Sequence, residues 1–508
     1  QSEPQRLSLF INGRRFIGFG GNWGFGESNL NYREREYDIA VAYHADMNFT
    51  MIRNWVGQIG DKEFYEACDR HGIMVWQDFW LANPVDGPNP YYTEMFNANA
   101  CDYLKRIRNH PSIGIYVGRN EGNPPAGIDD YLRGLVFREH PGLYYISNSA
   151  MGVVSGGGPY RALSPKSYFQ SYGHDKFHSE RGMPNVMNYE SMLLTFGTDK
   201  IEPVNTSETP NPVYGLHDYT LGGGKGSSAQ AASSFNDMIE KAFGRPRDAK
   251  QFAEWAQWIN YDGYRAIFEG RSEHRRGMLL WMSHSAWPSM VWQTYDYYFD
   301  PNAAYFGCKK ASEPLHIQWN PLRDDIEVVN YHAFDRTGLT ATASLFNQDG
   351  TLQWTRETKL DIKEDQTVAC FPLEQPETLS DTYFIKLSLT DSDGKQLSDN
   401  FYWRGKEDGN YKSLLQLPKV SVCKNVTVKK TGKEWLIRAV LKNEARTPAL
   451  MLRLKVAGEK SGRMLLPVFY SDNYFSLLPG EVKEVDIRLY DADTYGEKPV
   501  LEVLGFNL

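Results

Sequence analysis

Short apolar runs alternate with longer amphipathic segments through roughly the first 310 residues of the chain. The short runs predict strands, and they lie at 15–19, 48–53, 72–76, 112–117, 143–146 and 277–282. The longer segments predict helices, and they lie at 32–44, 62–71, 96–108 and 248–270. Repeated strand–helix units are typical of a parallel sheet covered by helices, and eight of them close into a (β/α)8 TIM barrel. The sequence therefore predicts an α/β barrel domain over residues 1–313.

The pattern changes after residue 314, where short strand-like runs with alternating apolar positions are separated by turn signals such as 348–350. Regularly spaced short strands predict all-β sandwiches. The remaining length suits two domains of about 100 residues each, and the polar stretch 406–410 separates them. We therefore predict one sandwich over 314–411 and a C-terminal sandwich over 412–508.

The regular rhythm of the barrel breaks between about 151 and 245, in a stretch rich in Gly, Pro, Ser and Tyr. Long irregular segments on a barrel usually build or cover a functional site. We expect this stretch to supply the fifth and sixth strands together with loops around the site.

Composition and charge exclude several classes of function. The net charge is −8 and there is no basic block, which argues against a nucleic-acid partner. No run of 18 apolar residues exists, so we expect no membrane insertion. The five cysteines have no metal-ligand spacing and predict buried thiols, without a metal site or a cofactor. The aromatic content of 14% suits a carbohydrate enzyme, although large β-rich cores use many aromatic residues too.

Two segments that each carry a glutamate at the end of a predicted strand hold the candidate chemistry. Glu121 closes the segment 109–121 after the fourth predicted strand, and Glu180 lies in 177–184, at the seventh. A barrel displays its active site at the C-terminal ends of its strands. A retaining glycoside hydrolase needs two carboxyl groups about 5–5.5 Å apart, one as acid/base and one as nucleophile.

The neighbours of the two glutamates predict their roles. Asn120 precedes Glu121 and is placed to hydrogen-bond a sugar 2-hydroxyl, a contact that strengthens in the transition state. Arg53, at the end of the second predicted strand, favours an ionised carboxylate, so we pair it with Glu180 as the nucleophile. Glu121 is then the acid/base, with a pKa raised by the charge of its partner. The alternative is that Arg53 pairs with an acid on a surface helix.

Further substrate-binding candidates lie at predicted strand ends or in the irregular stretch. Trp281 is expected to stack under the sugar, against the alternative of a core tryptophan, and Tyr160 to donate a hydrogen bond to the nucleophile. The other candidates are Trp23, Trp55 and Asp78.

Several motifs resemble glycoside hydrolase family 2. They are 51–55, 64–69, 72–80, 109–112, 118–121, 287–288, 305–314, 473–475, 478–481 and 505–507. The order of motifs is similar to the branch of mannosylglycoprotein endo-β-mannosidases and exo-β-D-glucosaminidases. This resemblance implies a barrel followed by two immunoglobulin-like domains, with Glu121 as acid/base and Glu180 as nucleophile. It also implies a glycan substrate and a periplasmic or secreted location.

The chain departs from that family at its start. Members usually carry a jelly-roll and another sandwich before the barrel, whereas residues 9–13 here already resemble the barrel entrance. We therefore expect a C-terminal piece or a truncated paralogue.

Three interpretations of the function follow. The first is a β-glycosidase acting on β-mannosides, and the second is an exo-β-D-glucosaminidase. A cationic 2-amine favours an extra carboxylate near Asn120, and 122–125 supplies none, so mannosides are preferred. The third is a non-catalytic carbohydrate-binding fragment. Exo or endo action and the oligomeric state stay open.

Overall fold

The computed structural model describes residues 6–170, 175–206, 209, 211–219 and 232–508. The chain falls into two compact units. The first comprises Gln1–Tyr160, Gln170–Met183 and Gly270–Trp287, and the second comprises Arg161–Phe169, Pro184–Glu269 and Pro288–Leu508.

The first unit contains a hairpin, a parallel sheet and the helices between its strands. Its strands are β1 Leu9–Ile11, β2 Arg14–Phe16, β3 Gly18–Trp23, β4 Met51–Asn54, β5 Met74–Asp78, β6 Ile113–Arg119, β7 Tyr144–Asn148, β8 Val154–Ser155, β9 Phe177–Arg181 and β10 Gly277–Leu280. Its helices are α1 Glu34–Asp46, α2 Lys62–His71, α3 Thr93–Ile107 and α4 Ala126–Glu139, with a 3₁₀ turn at Trp55–Gly57.

Strands β3 to β10 form one eight-stranded parallel sheet in the order β7-β6-β5-β4-β3-β10-β9-β8. Strands β7 and β8 lie at opposite ends of the strand order, but Ile146 of β7 and Val154 of β8 pack in one core with Trp76, Ile115 and Leu279. The sheet is therefore curled. The predicted α/β barrel class is confirmed.

The first strand of the sheet differs from its predicted position. Residues 14–16 pair antiparallel with 9–11 as a hairpin, and the parallel strand begins only at Gly18. Glycine is required at position 20, because a Cβ there would lie 1.6 Å from the carbonyl oxygen of Met51 on β4. The apolar run at 15–19 therefore spans two elements.

In the described residues of the second unit, six α-helices are followed by fourteen strands, with 3₁₀ turns at Lys412–Gln416 and Asp491–Thr494. The helices are α5 Pro165–Phe169, α6 Tyr189–Phe196, α7 Pro212–Leu216, α8 Ala232–Phe243, α9 Ala249–Glu269 and α10 Ala303–Ala311. The strands are β11 Leu315–Asn320, β12 Asp325–Asn330, β13 Arg336–Asn347, β14 Leu352–Ile362, β15 Gln366–Pro372, β16 Thr382–Thr390, β17 Gln396–Gly405, β18 Val422–Thr431, β19 Glu434–Asn443, β20 Ala449–Gly458, β21 Val468–Tyr470, β22 Phe475–Leu477, β23 Val482–Tyr490 and β24 Pro499–Leu504.

The strands after residue 314 form two groups of antiparallel sheets. The first group has the orders β11-β12-β15 and β14-β13-β16-β17, and the second has β18-β19-β23-β21 and β22-β20-β24. In the first group Ile317 and Val328 of one sheet pack against Leu345 and Leu387 of the other in a single core. The predicted all-β class of this region is confirmed, and the boundaries at 314 and 412 stay a prediction.

The cysteines differ from one another in burial. All five cysteines are free, but only Cys68 and Cys308 are buried. Cys101 and Cys370 are half-buried and Cys423 is exposed, so the expectation of five buried thiols is wrong for three of them. Within the described ranges, no helix combines the length and the apolar character that crossing a membrane requires.

Truncating a core residue of the first sandwich is expected to destabilise the second unit. Leu345 is fully buried, so Leu345→Ala should lower the free energy of unfolding by about 2–5 kcal/mol. Leu352→Ala is the matched control, because Leu352 is 54% exposed. Urea denaturation followed by fluorescence measures both variants. Equal effects of the two substitutions would contradict the sandwich core described above.

Candidate active site

Arg53, on β4, holds three side chains of the site together. Its Nε and Nη2 atoms donate to the carboxylate of Asp78 at 2.7–3.2 Å, its Nη1 donates to Glu180 Oε1 at 2.6 Å, and Nη2 also donates to Asn120 Oδ1 at 2.8 Å. Asp78 is itself fixed by the Trp76 indole at 2.8 Å and the Val56 amide at 3.0 Å. Arg53 and Asp78 are fully buried. Arg53 thus positions Glu180 and Asn120, and Asp78 holds Arg53 in place. The expected part of Arg53 and Asp78 in substrate binding stays a prediction.

Glu180 lies on β9 with both carboxylate oxygens engaged. Oε1 accepts from Arg53, and Oε2 accepts a 2.6 Å hydrogen bond from the hydroxyl of Tyr160. Burial raises the pKa of Glu180 to about 7, and the charge of Glu121 adds to the rise. The charge of Arg53 and the two hydrogen bonds act in the opposite direction. The carboxyl group is thus poised to ionise near neutral pH.

Glu121 follows β6 by two residues and is less buried than Glu180. Its φ of 47° lies in the left-handed region, which non-glycine residues adopt rarely. The backbone N–H of Glu121 donates to Ser149 Oγ at 3.0 Å, which fixes this conformation. Its Oε1 lies 3.4 Å from the Tyr160 hydroxyl and its Oε2 lies 3.4 Å from Asn83 Nδ2.

The Tyr160 hydroxyl lies between the two carboxyl groups. It is 2.6 Å from Glu180 Oε2 and 3.4 Å from Glu121 Oε1, so these two oxygens are at most 6.0 Å apart. This upper limit suits the separation of about 5–5.5 Å in retaining glycoside hydrolases better than the 6.5–9.5 Å of inverting ones.

Asn120 is oriented by two donors. Its Oδ1 accepts from Arg53 at 2.8 Å and from Ser149 Oγ at 3.2 Å. Because the amide oxygen is occupied, the Nδ2 group is left to donate to a ligand. The arrangement thus provides a fixed N–H donor next to Glu121.

Trp281 lies beside Tyr160, and Trp55 lies beside Trp281. The rings of Trp55 and Trp281 are 5.0 Å apart at 72°, and the ring of Trp281 is 6.1 Å from that of Tyr160. Both tryptophans are half-buried, so part of each ring is open to a ligand.

Trp23 lies in a different environment from Trp55 and Trp281. It is fully buried, its indole N–H donates to His44 Nε2 at 2.9 Å, and its ring stacks on His284 at 4.2 Å. Its ring also packs against Phe64 of α2, on the helix side of the sheet. The ring of Trp23 has no solvent-accessible face in this structure, and its expected role in substrate binding stays a prediction.

Three contacting residues were missed by the sequence reasoning. Ser149 directly follows β7 (Tyr144–Asn148), near the apolar run at 143–146, so the strand-end rule applied there would have found it. Asn83 lies in a long loop after β5 and has no distinctive signal. His178 on β9 contacts Ser155 Oγ at 2.8 Å and Gly158 O at 2.9 Å, and Gly158 in turn donates to the carbonyl oxygen of Glu180 at 3.1 Å. These bonds hold the segment that carries Tyr160.

The site residues offer carboxylates, hydroxyls and amides at short range. Among the residues that the structure describes, no group of three or more His, Cys, Asp or Glu side chains is placed to hold a metal ion. The site offers two carboxyl groups, of which Glu180 is deeply buried and hydrogen-bonded and Glu121 is more open.

Comparison with known proteins identifies relatives of this chain. Residues 400–508 match the family model of the exo-beta-D-glucosaminidase Ig-fold domain. The chain is 27% identical to the mannosylglycoprotein endo-beta-mannosidase of Lilium longiflorum, over 98% of this chain and 63% of that protein. It is 28% identical to an exo-beta-D-glucosaminidase of Streptomyces avermitilis, over 98% of this chain and 60% of that protein. The chain is a homologue of these two enzymes.

This chain also resembles solved structures. The Amycolatopsis orientalis exo-chitosanase matches with a TM-score of 0.89 and 24% identity, over 98% of this chain and 64% of that one. A β-D-mannosidase from Dictyoglomus thermophilum matches with a TM-score of 0.78 and 20% identity, over 100% of this chain and 62% of that one. These matches confirm the fold, and the relatives above confirm the resemblance given by the motifs. The chain spans about three fifths of the length of the curated relatives above.

Proposed function

We propose that the chain is a retaining β-glycosidase that cleaves β-mannosidic bonds, with Glu180 as nucleophile and Glu121 as acid/base. The observation that carries the proposal is the Tyr160 hydroxyl, which contacts both carboxyl groups and limits the distance between their nearest oxygens to 6.0 Å. A water molecule fits between inverting carboxyl groups only at a larger separation.

In the first step Glu180 attacks the anomeric carbon as the carboxylate. The bond to the leaving-group oxygen breaks, and Glu121 transfers its proton to that oxygen. Arg53 and Tyr160 fix the two oxygens of Glu180 before attack, so little reorganisation is needed. The product is a sugar bonded covalently to Glu180.

In the second step Glu121 acts as a base. It removes a proton from water, the water oxygen bonds to the anomeric carbon, and the bond to Glu180 breaks. Two inversions leave the anomeric configuration unchanged. The free Nδ2 of Asn120 is placed to donate to the sugar hydroxyl at carbon 2 in both steps.

The polar environment of Asn120 supports a neutral substituent at carbon 2. Its partners are Arg53 and Ser149, a cation and a hydroxyl, which suit a hydroxyl group better than a cationic amine. The runner-up is an exo-β-D-glucosaminidase, favoured by the family model that matches residues 400–508.

Hydrolysis of paired p-nitrophenyl β-mannoside and β-glucosaminide tests the proposal. We expect release from the mannoside, with the β-anomer as the first product in a time course of ¹H NMR spectra. Release from the glucosaminide alone would favour the runner-up, and a first-formed α-anomer would exclude the retaining mechanism. Binding of either sugar without hydrolysis would favour a non-catalytic carbohydrate-binding fragment.

The pH dependence of kcat/KM is expected to report on Glu180. Its pKa is about 7 and the nucleophile must be ionised, so kcat/KM should fall as the pH drops below about 7. Tyr160→Phe removes a donor that stabilises the ionised form, so this acid limb should move to higher pH. Tyr144→Phe is the control, because Tyr144 is 51% exposed at the start of β7. An acid limb that stays in place in Tyr160→Phe would contradict the assignment.

A further inference from the structure

The segment 81–92, between β5 and α3, is tied to the residues around Glu121. The carbonyl oxygen of Leu81 accepts a 2.9 Å hydrogen bond from the backbone N–H of Asn120. Arg119 donates through Nε to the carbonyl oxygen of Ala82 at 2.7 Å and through Nη1 to Asn89 Oδ1 at 2.7 Å. The guanidinium of Arg119 therefore holds the segment at two points, Ala82 and Asn89, against the end of β6.

Asn83 places this segment on one side of Glu121. Its Oδ1 accepts from the amides of Val85 and Asp86 at 2.8 and 2.9 Å, so its Nδ2 is directed to Asp86 Oδ2 at 2.6 Å and to Glu121 Oε2 at 3.4 Å. The other oxygen of Glu121 faces Tyr160, which binds Glu180. The segment thus lies on the side of the acid/base that is turned away from the nucleophile.

The leaving group of a glycoside lies on that same side. The acid protonates the glycosidic oxygen, while the nucleophile attacks from the opposite direction. A substrate that extends beyond the cleaved bond therefore continues from Glu121 towards the segment 81–92.

The far end of the segment exposes a row of apolar side chains. Tyr91 is 89% exposed and Tyr92 is 74% exposed, and Met95 on the first turn of α3 is 62% exposed. Pro88 and Pro90 flank Asn89 and restrict the backbone that carries the two tyrosines. Tyrosine rings have an apolar face and a polar hydroxyl, which matches the faces and the edges of sugar rings.

We propose that the segment 81–92 is a leaving-group subsite, in which Tyr91 and Tyr92 stack against the sugars of an oligosaccharide. This inference rests on the proposed function. The substrate class is then a β-glycoside with an extended glycan on the leaving-group side, whereas a single sugar or an aryl group ends before it reaches the tyrosines.

The ratio of two specificity constants tests the subsite. The kcat/KM for a β-linked oligosaccharide is divided by the kcat/KM for the p-nitrophenyl glycoside of the same sugar. We expect the double variant Tyr91→Ser/Tyr92→Ser to lower this ratio about tenfold. Tyr91→Phe/Tyr92→Phe should retain it, because the rings remain. Phe137→Ser on α4, where Phe137 is 79% exposed, is the control and should retain it too.

The outcomes separate the subsite from the proposed function. An unchanged ratio in the double serine variant overturns the subsite while the glycosidase assignment stands. If wild type hydrolyses neither aryl glycoside, the glycosidase assignment fails instead. Isothermal titration of the same oligosaccharide into Glu180→Gln protein then tests the subsite directly. About tenfold weaker binding after Tyr91→Ser/Tyr92→Ser supports it, and equal binding overturns it.

Discussion

Replacing Glu180 by Gln is expected to lower kcat for aryl β-mannoside hydrolysis by roughly 10⁴-fold or more, because an amide is not a nucleophile towards the anomeric carbon. Gln has nearly the same shape, and its oxygen still accepts from Arg53, so the site should stay assembled. Release of p-nitrophenol measures the loss. Glu357→Gln is the matched control, because Glu357 is exposed on β14. A fully active Glu180→Gln protein would remove Glu180 from the mechanism.

The same substitution should change the pH dependence of stability. The pKa of Glu180 in the folded protein, about 7, is above its ordinary value of 4.5, so the folded state binds this proton more tightly than the unfolded state does. Wild type should therefore lose stability relative to Glu180→Gln as the pH rises from about 4.5 through 7. Thermal melts of both proteins at pH 5 and pH 8 measure the difference. A constant difference between the melting temperatures would contradict the raised pKa.

Replacing Glu121 by Ala is expected to reduce activity in proportion to the leaving group's need for a proton. A phenyl glycoside should lose about 10²–10⁴-fold in kcat/KM, and a dinitrophenyl glycoside much less, because dinitrophenolate departs without protonation. Azide needs no base, so it should restore turnover and give a β-glycosyl azide. The Ala variant keeps the contact of the backbone N–H with Ser149, which isolates the effect of the carboxyl group.

The contrasting variant is Glu180→Ala. Azide should there replace the missing nucleophile and give an α-glycosyl azide. If Glu121→Ala lost the same factor with every leaving group, or gave no β-glycosyl azide, the acid/base role would be wrong.

The strand pattern was sufficient to locate Glu121, Asn120 and Arg53, because each lies in or directly after a strand that reads clearly as an apolar run. Parallel strands end at one edge of a sheet, which brings such positions together. The direction in which each side chain points was harder to predict. Asn22 and Trp23 are adjacent on β3, but Asn22 donates to carbonyl oxygens of Ser179 on β9 and Leu280 on β10, whereas Trp23 packs against Phe64 of α2.

The balance of energies at Glu180 could not be predicted from the sequence. Arg53 suggested a strongly ionised carboxylate, and the structure shows its guanidinium 2.6 Å from Glu180 Oε1. Burial nevertheless has the larger effect, and the resulting pKa is about 7. The position of the Tyr160 side chain could not be predicted either. The strand before it, β8, has only two residues, so its sequence does not define a register.

The strand order determines when the site can form during synthesis of the chain. Glu180 is on β9, which pairs with β8 on one side and β10 on the other, and among the described strands β10 is the one that lies between β9 and β3. β10 is made about a hundred residues after β9 has left the ribosome. A nascent chain that ends before Gly277 therefore carries both glutamates but has no strand to place Glu180 beside Arg53. Arg53 and Glu180 therefore cannot form their ion pair before β10 is made. During this interval the unpaired edges of β3 and β9 are open to incorrect strand pairing.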